Sequence, residues 1–326
     1  MSPSSAPAGR NPLRGYAYIA ATTLLFSSME IALKTVSGRF NALQLNFLRF
    51  MIGGLFLLPF ALASLKRRGT AIRRRDWGFF ALSGLACVVV SMTLYQVAIQ
   101  YCKASIVAVL FSCNPVFVIP LAAIFLKERI RGFTIASMAL SVAGMICIMN
   151  PLHMSASALG IALTLGSAAV FAIYGVMGKT RSSSFGGLAT TSFSFIIGSA
   201  ELLVLILASR LPAVAAALRA SGLGAFADIP LLAGLDLGVL PLFAYISLCV
   251  TGIGYAAYFM AIEETSAATA SLVFYIKPAL APVLALAILG ESIAPSTIAG
   301  IVLIAIGSAI SFAGPRSARP RKERET

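Results

Sequence analysis

The chain has 326 residues, of which 59% are apolar and 11% charged, and its formal net charge is +14. A soluble domain carries about 25% charged residues, so a soluble enzyme and a disordered chain are both excluded: neither could keep this much apolar surface out of water. The excess of base does not signal nucleic acid either, because a DNA-binding domain gathers its charge on one face, whereas here short basic clusters separate long apolar runs.

A helix crosses the hydrocarbon core with about 20 mostly apolar residues. Ten runs meet that length, at 15–36, 42–65, 77–99, 104–126, 132–149, 158–178, 187–209, 237–262, 266–289 and 294–313. The expected fold is therefore an all-α integral membrane protein. Residues 1–14 precede the first span, which has no small-residue cleavage site and reads as a retained helix. That span carries Glu30 and Lys34, four residues apart on one face with Ser27 near them, the spacing of an i,i+4 ion pair. The second span holds Gly53-Gly54, suited to close helix approach, and Arg49 near its outer end, placed to snorkel or to shape a vestibule. Trp77 opens the third span as an interfacial anchor. The fourth contains Asn114 before Pro115, and the seventh contains Glu201. Residues 210–236 read as an outer loop with a short surface helix. The eighth span carries Gly252, Gly254, Tyr255 and Tyr258. The ninth has Tyr275 and Lys277 before Pro278, whose missing N–H predicts a kink around Phe274. Residues 314–326 form a basic tail able to touch anionic lipid. Cys87, Cys102, Cys113, Cys147 and Cys249 lack metal-ligand spacing, and the single His153 excludes a His-based triad or zinc site. No metal or cofactor is expected.

With the N-terminus inside, 18 basic residues fall in cytoplasmic segments and 4 on the opposite side. By the positive-inside rule both termini are cytoplasmic, in a plasma (bacterial inner) membrane.

Shifted by 163 positions, residues 98–144 lie on 261–307 without a gap, pairing Pro115 with Pro278, Glu128 with Glu291, Thr134 with Thr297 and Gly144 with Gly307; Tyr95/Tyr258 extends the match upstream. Five spans per copy is an odd number, so the second copy enters the membrane inverted, the architecture of many secondary transporters. The segments around Pro115…Leu126-Lys127-Glu128-Arg129 and Pro278…Leu289-Gly290-Glu291-Ser292, with Lys34 and Arg49-Phe50, resemble the EamA repeat of the drug/metabolite transporter superfamily. The resemblance implies two inverted five-helix repeats, 15–150 and 158–313, and transport of small metabolites by alternating access. Glu30 and Lys277 depart from the common pattern, which has a neutral and an often acidic residue there.

An ionisable side chain at mid-membrane costs about 2.5–3.5 kcal/mol by insertion scales and is kept where it meets a cavity or a partner. Lys277 is a counter-charge for a substrate carboxylate or phosphate, a proton-exchanging group, or the partner of Glu30 or Glu201. Glu30 either pairs with Lys34 or contacts a substrate ammonium or a proton; Glu201 has no local partner and is a second coupling candidate. Asn114 is the repeat-equivalent of Lys277, and Tyr95, Tyr255, Tyr258 and Tyr275 are the aromatic candidates for substrate contact. Glu128 and Glu291 are expected to cap the span that follows each. The expected function is export of a small amino-acid-like or other zwitterionic solute, with proton coupling and facilitated diffusion both open. The alternatives are exchange of anionic or nucleotide-like metabolites, or lipid flipping. The expected partners are the bilayer and a small solute, without nucleic acid, and a homodimer stays open beside the monomer. A membrane enzyme would need a catalytic constellation that one His and few acids do not supply.

Overall fold

A computed structural model describes residues 11–127, 132–149, 157–265, 267–270 and 273–313. The Glu128 turn, His153, the tail 314–326, the first ten residues and the Tyr275 side chain lie outside the described residues.

Among the described residues, ten apolar helices follow one another: α1 (Pro12–Val36), α2 (Ala42–Arg68), α3 (Asp76–Tyr101), α4 (Ala104–Phe125), α5 (Gly132–Met149), α6 (Ala158–Arg181), α7 (Ser184–Ala208), α8 (Leu240–Glu264), α9 (Val273–Leu289) and α10 (Pro295–Ala313). Local chemistry sets their ends. Asn11 accepts the Leu13 and Arg14 amides at the start of α1. A capping box of Asn41 and Gln44 opens α2, and Gly69 at φ 62° closes it in the left-handed region open to glycine. In the first turn of α7 the chain changes direction at Gly186, whose φ of 75° and ψ of 167° interrupt an otherwise continuous helix. The short helix Pro212–Ala220 lies in the expected surface loop, which Arg39–Asp236 (2.7 Å) ties to the start of α2.

Large aliphatic and aromatic side chains such as Leu24, Phe60, Ile124, Val204 and Leu286 point outward, while Ser and Thr concentrate inside. This inverts the soluble pattern, because in lipid an apolar exterior is satisfied and polar groups must find partners within the bundle. Ser91 and Ser167 show how: each hydroxyl donates to the other's backbone carbonyl, at 2.9 and 2.7 Å.

The internal symmetry is visible in contacts. In α5 and α10, a Cβ added to Gly144 would lie 2.6 Å from Gly300 O, and one added to Gly307 would lie 2.9 Å from Ser137 O. These two contacts exchange under the 163-residue shift. The same holds for π-helical segments, Leu85–Ser91 in α3 and Tyr245–Gly254 in α8. The first two helices of each copy also correspond, through Phe26/Phe171, Lys34/Lys179, Phe50/Phe195 and Gly53/Gly198. Lys34 Nζ donates to Ile99 O at 2.6 Å and Lys179 Nζ to Ile262 O at 3.1 Å, and Ile99 and Ile262 are themselves a repeat pair.

That geometry corrects two expectations. Lys34 does not pair with Glu30; it donates to Ile99 O and Cys102 O at the end of α3. Those carbonyls are helix-terminal orphans at the negative end of the dipole, a better site for a cation than a neighbour turned into the bundle. Glu291 does cap a helix, but not the one that follows it. Its carboxylate accepts Ala104 N (2.9 Å), Ser105 N (3.1 Å) and Ser105 Oγ (2.7 Å) at the start of α4. Lys103, the N-cap residue of α4, supplies no side-chain acceptor, so these amides are open, whereas α10 starts at a proline with no N–H to offer. Glu291→Ala is expected to lower stability by about 1–2 kcal/mol, the scale of a lost cap, seen as a fall in melting temperature of the detergent-purified protein; an unchanged melting point would show that the cap is dispensable.

Pro278 lies inside the helix Val273–Leu289, which begins one residue before Phe274; residues 271–272, next to the expected kink, lie outside the described residues. In α4 the helix is interrupted at Ser112–Cys113. There Pro115 sits in the first turn of the restarted helix, where its missing N–H is no loss.

Candidate functional site

Where the two copies meet, Glu30 from α1, Tyr95 from α3 and Lys277 from α9 come together, all without solvent exposure. Lys277 Nζ forms an ion pair with Glu30 Oε1, and Tyr95 Oη donates a hydrogen bond to the same oxygen. Lys277 Nζ makes no hydrogen bond besides this pairing, and Glu30 Oε2 accepts none among the described residues. The ammonium stands 5.2 Å from the centre of the Phe111 ring and 6.0 Å from that of Tyr95. A buried charge survives when it is paired, and each of these two is the other's remedy.

An aromatic wall surrounds the pair. Tyr255 packs edge-on against Phe26 at 4.8 Å and Phe195 at 5.2 Å, and its hydroxyl donates to Met92 Sδ at 2.9 Å. Tyr258 lies 5.8 Å from Phe274 and 6.0 Å from Phe171. Asn114 joins the same core through Nδ2, which donates to Ala168 O at 2.8 Å, while its Oδ1 is buried without a partner among the described residues. Of the sequence candidates, Glu30, Lys277 and Tyr95 are thus in direct contact, Tyr255, Tyr258 and Asn114 line the surrounding core, and Tyr275 is outside the described side chains.

Glu201 stands apart. It is half-buried on α7, makes no ion pair among the described residues and leaves Oε2 unpartnered, so the partner of Lys277 is Glu30.

Arg49 lies elsewhere than its position in the second span suggests. Expected at the outer margin, it is fully buried. Its Nε and Nη2 donate to Asn46 Oδ1 at 3.2 and 3.0 Å, Nη1 approaches Met29 Sδ at 3.9 Å, and the guanidinium lies 4.4 Å from the Phe50 ring centre. Asn46 is oriented in turn by donating to Val88 O at 2.7 Å and Thr93 Oγ1 at 3.2 Å. Val88 belongs to the π-helical segment of α3, where the widened turn presents carbonyls to other helices. The signal that could have found Arg49 is the repeat. Glu30, Arg49 and Lys277 fall opposite Gly175, Ser194 and Asn114, so the scaffold is symmetric and the charges are not.

Both ends of the bundle are tied around this core. At one end, Glu263 pairs with Arg68 and accepts Gly187 N at 3.0 Å, and Glu264 accepts Asn11 N at 2.9 Å. At the other end, Glu291 holds α4, and Lys103 Nζ donates to Ser292 Oγ at 3.0 Å. A cleft of about 380 Å³ lined by Thr70, Arg73, Arg75, Asp76, Arg181 and Ser184 lies at the helix ends and shares no residue with the central cluster.

The comparisons with known proteins agree with an architecture of two helical copies. The EamA-like transporter family model matches residues 13–150 and again 158–313. A Clostridium kluyveri protein described as an uncharacterized transporter is 36% identical over 318 residues, covering 95% of this chain and 96% of its own. A Streptantibioticus cattleyicolor protein named "Probable terminal-alkyne amino-acid exporter" is 26% identical over 298 residues, covering 88% of this chain and 90% of its own. A solved crystal structure aligns with a TM-score of 0.66 at 15% identity, covering 92% of this chain and 98% of its own, and shares the fold. The chain is a multi-pass membrane protein that belongs to the EamA-like transporter family.

Proposed function

We propose that this protein is a secondary transporter that exports a small polar solute of amino-acid-like or other zwitterionic character by alternating access. The observation that carries this reading is the Glu30–Lys277 pair, sealed between the two copies and joined by Tyr95. A charge pair at the centre of an apolar bundle is costly to keep, and its retention marks the place where a charged solute is met. The amino-acid exporter named above supports the solute class and the direction. In this reading 15–150 and 158–313 are the two moving halves and 1–14 and 314–326 are cytoplasmic extensions, in a bacterial inner membrane and open to homodimer formation. Tyr95, Tyr255, Tyr258, Tyr275 and Asn114 line the solute's path. Glu30, Lys277 and Glu201 are the groups able to exchange a proton.

Alternating access follows from the ties at the two ends: releasing Glu263 and Glu264 opens one side while Glu291 and Lys103 keep the other shut, and the reverse. Uptake of amino acids into proteoliposomes tests the site. Glu30→Gln and Lys277→Ala are each expected to cut the initial rate at least tenfold; variants that move every tested solute as well as the unaltered protein would remove the cluster from the mechanism. A pH gradient imposed on the same vesicles separates coupling from facilitated diffusion, since uncoupled uptake is indifferent to it.

A further inference from the structure

In the cluster the two nearest-paired charges cancel, Glu30 against Lys277, and Arg49 is left over. Arg49 has no carboxylate partner among the described residues, although it is wholly buried. A guanidinium carries five N–H donors. Two of them are spent on Asn46 Oδ1 and one on a sulfur, Met29 Sδ, which is a weak acceptor. The rest find no acceptor among the described residues. Met29 is the chain neighbour of Glu30, so the Nη1 arm of the fork reaches α1 next to the residue that carries the ion pair. Glu30 Oε2, buried and without a hydrogen bond, is the complementary place for a donor.

We propose that Arg49, and not Lys277, is the docking group for a carboxylate of the transported solute, with Glu30 Oε2 receiving the solute's ammonium. This rests on the transporter reading above and specifies its solute. A planar fork takes a carboxylate through two parallel N–H···O bonds, which a point-charge ammonium does not do. Asn46 acts as the positioning residue, holding the guanidinium by Nε and one Nη2 hydrogen. Phe50 lies beneath the guanidinium, and Phe195 at 4.6 Å and Tyr255 at 5.7 Å from the Phe50 ring extend the apolar surface, which favours a solute with an apolar or aromatic body. Lys277 then pairs with Glu30 while no solute is bound.

The test uses the full chain in detergent and in proteoliposomes, with phenylalanine, its amide and phenethylamine as probes. In the unaltered protein phenylalanine is expected to raise the melting temperature and to drive counterflow, and the two probes lacking a carboxylate are expected to bind at least tenfold more weakly. Arg49→Lys keeps the charge but loses the fork, and the preference for phenylalanine over its amide should fall at least tenfold. Asn46→Asp is the second variant. Its carboxylate would take the Arg49 donors within the protein while giving up the Asn46 Nδ2 donation to Val88 O, so its melting temperature is read beside its binding, and the folded variant should lose phenylalanine binding. The assignment is overturned if Asn46→Asp binds phenylalanine as the parent does, or if the parent shows no preference for the carboxylate. Transport of the amide or the amine without that preference would sink this assignment and leave the transporter reading intact; absence of transport of all three would count against both.

Discussion

Lys277→Met lowers the stability of the purified protein by about 3–5 kcal/mol, the usual penalty for stripping one partner from a buried ion pair. The cost comes less from the lost attraction than from Glu30, whose carboxylate is left in an apolar core with only the Tyr95 hydroxyl to answer it. Glu30→Gln alone leaves a lone ammonium between the Phe111 and Tyr95 rings and should destabilise comparably. The double variant Glu30→Gln, Lys277→Met removes both charges and is expected to recover most of the loss, because the two residues touch and their effects do not add. Thermal melts of the four proteins in one detergent close the cycle. If the double variant were as unstable as the sum of the singles, the pair would be two separate defects and not one unit. On the function proposed above, the recovery of stability would not bring back transport.

Gly84→Ala is the second large effect. At this position α3 and α7 are in backbone contact: an added Cβ would lie 2.6 Å from Ser194 O and 2.6 Å from Gly198 N, and a Cβ on Gly198 would lie 2.7 Å from Gly84 O. None of these neighbours is a flexible side chain, so a whole helix must shift. Overpacking of this kind costs about 1–3 kcal/mol, and more when only backbone can give way. The expected result is loss of the monodisperse peak in size-exclusion chromatography and a much lower melting temperature. Gly78→Ala, earlier on the same helix and with nothing within 4 Å of its added Cβ, is the control. It should leave the protein unharmed and gain up to about 1 kcal/mol from helix propensity. Equal behaviour of the two alanine variants would show that α3 and α7 are not packed as described.

Much of the scaffold is legible in the residues. Span positions follow from the length of apolar runs, since the bilayer accepts only helices of sufficient reach with every backbone group satisfied internally. The pairing of Gly144 with Gly307 is also visible, and it corresponds to a real exchange of contacts between α5 and α10. The correspondence of the first two helices in each copy is harder to see, because the loop 210–236 breaks the single shift that aligns the rest.

The site is less legible, and for a common reason. Glu30 and Lys34 have the spacing of an ion pair, but spacing says which side chains share a helix face and not what stands opposite that face. In the folded chain Lys34 meets the orphan carbonyls at the end of α3, while Glu30 meets Lys277. Glu291 has the place of a local cap, yet the helix start with open amides is far away in sequence. Arg49 reads as marginal because long basic side chains usually reach for water, whereas Asn46, steadied by the π-helical turn of α3, holds it inside.

By itself, then, the sequence determined the solvent, the number of helices and the inverted pairing of the two copies, because each depends on composition and on order along the chain. Only the tertiary structure decided which charge meets which. Glu30 could have met Lys34 or Lys277, and Lys277 could have met Glu30 or Glu201. The choice among them turns on helix rotation and on backbone groups that no side-chain pattern records.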